Sequence, residues 1–185
     1  MTTPKTQHDV AVIGGGQLAR MMQPSAIALG IRLSLLAEGD DVSAAQVIRD
    51  YEVGDHTDAA DVRRAVGDAP VVTFDHERVP TYLLRGLDAD GHACRPGPAA
   101  LIHAQDKLVM RRRLSELGVP CPRWAQVKTP AEVADFGFPA IVKTARGGYD
   151  GKGVRVISQA GEVRDWFTAL AEDGRGGFLL VEELV

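Results

Sequence analysis

The sequence of 185 residues predicts an α/β protein: a doubly wound parallel sheet followed by a smaller α+β unit. Three observations carry this. Strand-like and helix-like stretches alternate with short links between residues 10 and 95, the rhythm of a parallel sheet with crossover helices. The first link is the glycine turn Gly14-Gly-Gly-Gln-Leu-Ala-Arg20, between an apolar strand and a helix. Beyond the breaker Gly118-Val-Pro-Cys-Pro122, short strands flank a second glycine-rich loop.

The elements follow in order. Residues 10–13 read as a strand and 17–29 as a helix, with Pro24 expected to kink it. Gly30 ends that helix, and residues 32–36 form the second strand. A short strand is expected at 50–53 and a helix at 58–66, capped by Thr57 or Asp58 with Asp61 in its first turn. Residues 70–74 read as a strand, 82–87 as a short helix and 92–95 as a last short strand closed by Pro96-Gly-Pro98. Residues 98–117 read as one helix, since neither glycine nor proline interrupts it before Gly118. Then come a strand at 124–127, a helix at 130–136 with Thr129 as cap and Pro130 at its first position, and a strand at 140–144. A glycine-rich loop at 146–152, a strand at 154–157, a helix at 161–170 and a strand at 178–181 complete the pattern.

Composition sets the frame. The chain is 45% hydrophobic and 25% charged, with a formal net charge of −4, which gives no sign of a nucleic-acid-binding surface. The two cysteines, Cys94 and Cys121, lack C-x-x-C spacing and read as small apolar residues of a reducing compartment. Residues 1–8 are polar, without the apolar stretch of a signal peptide, and no apolar run nears the ~18 residues that span a bilayer. A cytoplasmic protein without membrane contact is expected. The sequence stops straight after the 178–181 strand, so a longer parent protein is expected.

Two glycine loops compete for a nucleotide. Gly14, Gly16 and Ala19 fit the G-x-G-x-x-G/A fingerprint, and Glu38 stands where an acid would hold a ribose, which allows an NAD(P)-linked oxidoreductase. The second loop lies between strands and is not a Walker A loop: Arg146 replaces its first glycine, and Gly153 its Ser or Thr. It nevertheless concentrates four glycines with Lys143, Arg146 and Lys152, a combination suited to wrapping phosphate oxygens. Lys143 lies mid-strand among Ile141, Val142 and Thr144, where a buried lysine needs an anion.

Lys143-Thr-Ala-Arg-Gly-Gly-Tyr-Asp-Gly-Lys-Gly153, followed by Val181-Glu-Glu-Leu-Val185, resembles the ATP-grasp superfamily. Within it, Gly147–Gly153 is similar to the loop of the 5-(carboxyamino)imidazole ribonucleotide synthases of purine biosynthesis. So are Gly14-Gly-Gly-Gln-Leu-Ala-Arg-Met21, Thr73-Phe-Asp-His-Glu-Arg-Val-Pro80 and Gln105-Asp-Lys-Leu108 leading to Leu117-Gly-Val-Pro120. The resemblance implies a Rossmann-like pre-ATP-grasp domain at 1–103, a helix and linker at 104–122, and an incomplete first ATP-grasp subdomain at 123–185.

It implies a ligase that carboxylates 5-aminoimidazole ribonucleotide with bicarbonate through carboxyphosphate, at the expense of ATP. Lys143 would contact the α- and β-phosphates and Lys107 a further phosphate oxygen. Gly147, Gly148, Tyr149, Asp150, Gly151, Lys152 and Gly153 would close over the triphosphate. Glu182, Glu183, Leu184 and Val185 would read adenine as a strand exit, largely through the backbone, so that side-chain identity matters less there. The catalytic set would be Lys143, Tyr149, Asp150 and Lys152, the last three near the amine substrate as well. Gln17, Leu18 and Glu77 match substrate-facing positions. The Mg²⁺ ligands are expected beyond Val185 and none within this chain, so full synthase activity is not expected of it alone. A homodimer is expected of the full-length protein. Glu38 then reads as an incidental strand-end acid, Arg111-Arg-Arg113 as a solvated helix face, and His8, His56, His92 and His103 as scattered residues without a role. Another ATP-grasp ligase, or a nucleotide-binding regulatory module, fits the same residues.

Overall fold

The computed structural model describes residues 8–148, 151–172 and 177–185. The chain divides into two compact units, Met1–Leu101 and Ile102–Val185.

In the first unit the elements are β1 (Val10–Ile13), α1 (Gln17–Leu29), β2 (Leu33–Ala37), β3 (Tyr51–Val53), α2 (Ala59–Val66), β4 (Val71–Phe74), α3 (Thr81–Ala89) and β5 (Ala93–Cys94). The five strands form one parallel sheet in the order β3-β2-β1-β4-β5. Both faces are covered, which explains the continuous apolar runs of the inner strands. On one face Ala11, Ile13, Leu36 and Val72 pack with Val62 and Val66 of α2 and Leu83, Leu84 and Leu87 of α3. On the other, Val12 and Leu35 pack with Ala19 and Ala26 of α1 and with Ala44 and Ile48. Asp58 is the cap of α2, accepting from the amides of Ala60 and Asp61. Pro24 lies inside helix α1, as expected, and its missing amide removes the bond to Arg20 O. Cys94 is buried and unbonded to any other cysteine, and burial pushes its thiol up to about 12.

Helix α4 (Pro98–Gln105) spans the division between the units, and α5 (Lys107–Glu116) begins the second in earnest. The single helix expected over 98–117 is therefore two. The break is at Asp106, which leaves helical geometry (φ −134°, ψ 109°) and caps α5 by accepting from the amides of Leu108 and Val109. Then come β6 (Trp124–Val127), α6 (Pro130–Phe136), β7 (Ala140–Thr144), β8 (Val154–Ile157), α7 (Arg164–Glu172) and β9 (Leu179–Glu183). Thr129 and Glu132 close a capping box on α6. The helix expected at 161–170 starts instead as a 3₁₀ turn over Ala160–Val163, because Glu162 turns back to the amides of Ser158 and Gln159.

The four strands form an antiparallel sheet in the order β6-β9-β7-β8. Alternation divides its residues between two faces. Val127, Val142, Ile157, Leu179 and Val181 pack with Val133 and Val163, forming the core of the unit. Arg155 ties β8 to α7 by two bonds to Asp165, at 2.6 and 2.7 Å. The register puts Trp124, Gln126, Ile141, Lys143, Val154, Val156, Leu180 and Glu182 on the other face.

Candidate functional site

In the first unit, the C-terminal ends of β1, β2 and β4 meet where the strand order reverses, the usual ligand crevice of an open α/β sheet. The glycine turn lies there, with its donors already taken. The Gly15 amide donates to Glu38 Oε2 at 2.9 Å, and the Gly16 and Ala19 amides donate to the two oxygens of Asp75 at 2.8 and 2.6 Å. A helix N-terminus that would attract a pyrophosphate is thus filled by the protein's own carboxylates. This corrects the reading of Glu38 as incidental and removes the physical basis of the dinucleotide fingerprint. Burial alone would push the Glu38 carboxyl up, but the bonds from the Gly15 and Glu38 amides, and His76, outweigh it and hold it below the ordinary range.

A shallow cleft of about 410 Å³ opens beside these groups, lined among others by Gly15, Gly16, Ser43, His76 and Arg78. Gln17 sits near its rim, its Oε1 accepting from Ser43 Oγ at 2.8 Å. Glu77, two residues beyond Asp75, is half-buried. Leu18 turns elsewhere, lining an apolar groove with Met21, Met22 and Leu29. Asp75→Ala is expected to cost the unit about 1–2 kcal/mol, as lost helix caps do, and Asp75→Asn less. Faster hydrogen exchange at the first turn of α1 checks this.

His56 is not isolated: its ring lies 4.6 Å from that of His76, edge to face. Burial, then His76, hold its pKa below the ordinary value. Glu38, His56 and His76 each bring one ligand-type atom within 4.8 Å of the others. Two imidazoles and one carboxylate do not suit Mg²⁺, which wants oxygen. Nor is the trio set up for a softer ion. His76 Nδ1 accepts from the Arg78 amide at 3.2 Å, so Nε2 carries the proton, given to Glu38 Oε1 at 3.2 Å. A metal-bound histidine needs the opposite arrangement, with its outer nitrogen donating.

In the second unit, the mixed face of the antiparallel sheet carries the charge. Glu182 is only 2% exposed. One of its oxygens takes Arg111 Nε and the other Lys143 Nζ. Ile141 lies directly opposite Glu182, which makes Lys143 its diagonal neighbour on the same face, within reach of a long side chain. Burial would raise the Glu182 carboxyl, but bonds from Arg111 and Lys143 hold it below the ordinary carboxylate range. The anion that a lysine in this strand needs is therefore internal. Two expectations are corrected. Arg111 is not part of a solvated face, and Glu182 belongs to β9 rather than to a strand exit, with a side chain that its surroundings specify.

The glycine loop leaves β7 at Thr144. Gly147, Gly148, Gly151 and Gly153 all have positive φ, from 66° to 81°. The N-terminus of α5 ties down the near side of the loop. Lys107 donates from its amide to Ala145 O at 2.9 Å and from Nζ to Gly147 O at 2.7 Å. Arg146 Nε donates to Asp106 Oδ2 at 2.9 Å. This link also explains the helix break, since Asp106 and Arg146 pair as an isolated bridge. Asp106→Ala is expected to remove both the α5 cap and the anchor of Arg146. Exchange should quicken at Leu108 and Val109, at a cost of about 1–2 kcal/mol. The buried Thr144 Oγ1 has no partner among the described residues. Lys152 stands at the far side of the loop, Glu183 closes β9 and accepts from the Arg123 amide at 2.7 Å, and Leu184 and Val185 follow it, exposed. Tyr149 and Asp150 lie outside the described residues. The sequence carries no local signal for Arg111 or Asp106, whose partners are 71 and 40 residues away.

A parallel five-stranded unit followed by an antiparallel sheet with a glycine hairpin and an in-strand lysine defines a pre-ATP-grasp unit joined to ATP-grasp structure. The chain belongs to the ribonucleotide synthetase preATP-grasp domain family, which residues 7–105 match, and residues 112–185 match the ATP-grasp domain. It is similar to the N5-carboxyaminoimidazole ribonucleotide synthase of Mycobacterium bovis, 49% identical over 180 residues, covering 95% of this chain and 42% of that protein. Among solved structures it is similar to carboxyaminoimidazole ribonucleotide synthase from Aspergillus clavatus complexed with ATP, at 28% identity and a TM-score of 0.81. The same enzyme in complex with ADP and 5-aminoimidazole ribonucleotide gives 26% and 0.79. Each covers 97% of this chain and 47% of the solved chain. The chain thus spans less than half the length of these relatives.

Proposed function

We propose that this chain supplies the amine-substrate crevice and part of the nucleotide grip of an enzyme that carboxylates 5-aminoimidazole ribonucleotide with bicarbonate and ATP. The observation that carries this reading is the glycine hairpin entered from Lys143, whose ammonium shares a buried carboxylate with Arg111. Bicarbonate is a poor electrophile; its oxygen takes the γ-phosphoryl group of ATP, giving carboxyphosphate and ADP, and the amine then attacks the carboxyl carbon, displacing phosphate and losing a proton to leave the carbamate. Little covalent chemistry falls to the protein; its part is positioning, charge neutralisation and exclusion of water.

In this reading Lys143 and Lys107 hold phosphate oxygens. The loop of Gly147, Gly148, Tyr149, Asp150, Gly151, Lys152 and Gly153 covers them, and Thr144 Oγ1 offers a further polar contact. Segment 182–185 contacts adenine, and Gln17 and Glu77 face the amine substrate. When bound, Mg²⁺ would neutralise phosphate charge; no described group offers it a set of oxygen ligands, and these are proposed to come from residues beyond Val185. The dinucleotide alternative finds no support in the first loop, where Glu38 and Asp75 occupy the amides.

Calorimetric titration tests the reading. Mg-ATP should bind and NADH should not, and Lys143→Met should weaken ATP binding by about 1.5–3 kcal/mol, ten- to a hundredfold or more, the worth of charge-assisted hydrogen bonds. Tight NADH binding with no ATP binding would sink it. This chain alone is expected to release no phosphate in response to bicarbonate and 5-aminoimidazole ribonucleotide.

A further inference from the structure

Two cations share the one buried carboxylate of Glu182, so the group carries a surplus positive charge. Arg111 comes from helix α5, one turn beyond Lys107, and Lys143 from β7, one residue before the turn into the loop. The two cations differ in freedom. A guanidinium is a planar fork that suits a fixed carboxylate, while an ammonium on a four-carbon stem can swing. Both are mostly covered, with side-chain exposures of 16% and 23%.

If Lys143 alone neutralised Glu182, its departure would strand a charge that is 2% exposed, and such a stranded charge is strongly unfavourable. With Arg111 in place, the carboxylate keeps a partner when the lysine leaves. We infer that Arg111 is a positioning residue that retains Glu182 so that the Lys143 ammonium is free to move to an incoming anion. The identity of that anion as a nucleotide phosphate rests on the function proposed above; the division of labour between the two cations does not.

The test is a timed acylation of Lys143 with acetic anhydride, read by mass spectrometry on the full 185-residue chain without ligand. In Arg111→Gln, Glu182 has only Lys143 to pair with, and labelling should slow several-fold. Arg111→Lys, which keeps the charge but not the planar fork, should restore part of the parent rate, and Glu182→Gln should speed labelling. Partial unfolding would speed labelling in Arg111→Gln, so slowing is a result that loss of structure cannot imitate. Unchanged or faster labelling in Arg111→Gln overturns the inference. Mg-ATP titration of the same variants reads the other question. Arg111→Gln should bind about tenfold more weakly, with Arg111→Lys recovering most of the loss. The expected labelling pattern without ATP binding by the parent chain would leave the inference standing and sink the nucleotide reading alone.

Discussion

Glu182→Ala removes the carboxylate between Arg111 and Lys143 and is expected to destabilise the second unit by about 3–5 kcal/mol, the range for breaking a buried ion pair from one side. The cost comes from the groups left behind: two mostly covered cations face each other with no anion between them. Glu182→Gln keeps the shape and an acceptor oxygen but not the charge, so it should lose less. Both tryptophans, Trp124 and Trp166, lie in this unit, and their fluorescence reports its unfolding in urea separately from the first unit. The midpoint should fall with an unchanged slope. Acid gives an independent reading. The folded Glu182 pKa lies below its ordinary value of 4.5, so its contribution is complete above that pH and is lost as pH falls through the folded value. Glu182→Gln should flatten this part of the pH profile; an equally steep acid transition in that variant would contradict the assignment.

Gly153→Ala is the second large effect. Its φ is +75°, and a Cβ there would lie 2.5 Å from Thr144 Oγ1. The neighbour cannot simply yield: a threonine is stiff at χ1, and the Thr144 amide is bonded to Gly153 O at 3.0 Å. Left-handed backbone costs about 1–2 kcal/mol for a residue with a Cβ, and overpacking about 1–3 more, so a total of about 2–5 kcal/mol is expected. Gly148 is similarly confined, its added Cβ meeting Lys152 O at 2.4 Å with φ at +77°. The hairpin therefore cannot accept a side chain at either place without opening. Tryptophan fluorescence in urea measures the loss. Adding Thr144→Ala to Gly153→Ala should recover the steric part and leave the backbone part; no recovery at all would show that the collision with Thr144 is not the cause. On the proposed function, both glycine variants also lose ATP affinity, by tenfold or more.

Much of the architecture was legible because its signals are local. The alternation of apolar strand and helix, Gly30 at a helix end, Asp58 at a helix start and the Thr129-Pro130 cap each act over a few residues, and they gave elements close to those found. The break at Asp106 was hidden because no glycine or proline marks it. What bends the chain is a carboxylate that caps one helix and holds an arginine 40 residues further on. The 3₁₀ turn at residues 160–163 was missed for a related reason: a glutamate satisfies two backbone amides and tightens a turn that composition alone reads as helix.

The site divides in the same way. The residues in order were enough to place a parallel α/β unit before an α+β one and a glycine hairpin after an in-strand lysine, and their motifs to resemble an ATP-grasp synthase. Backbone preference and side-chain period act between near neighbours, and near neighbours are what a sequence displays. Which charges meet is set by the folded arrangement. It put Asp75 and Glu38 into the amides of the first glycine turn, set His76 beside His56, and gave Lys143 and Arg111 a single carboxylate 39 and 71 residues further along the chain. Electrostatic pairing depends on distance in space and on burial, and strand register, not sequence spacing, fixes both.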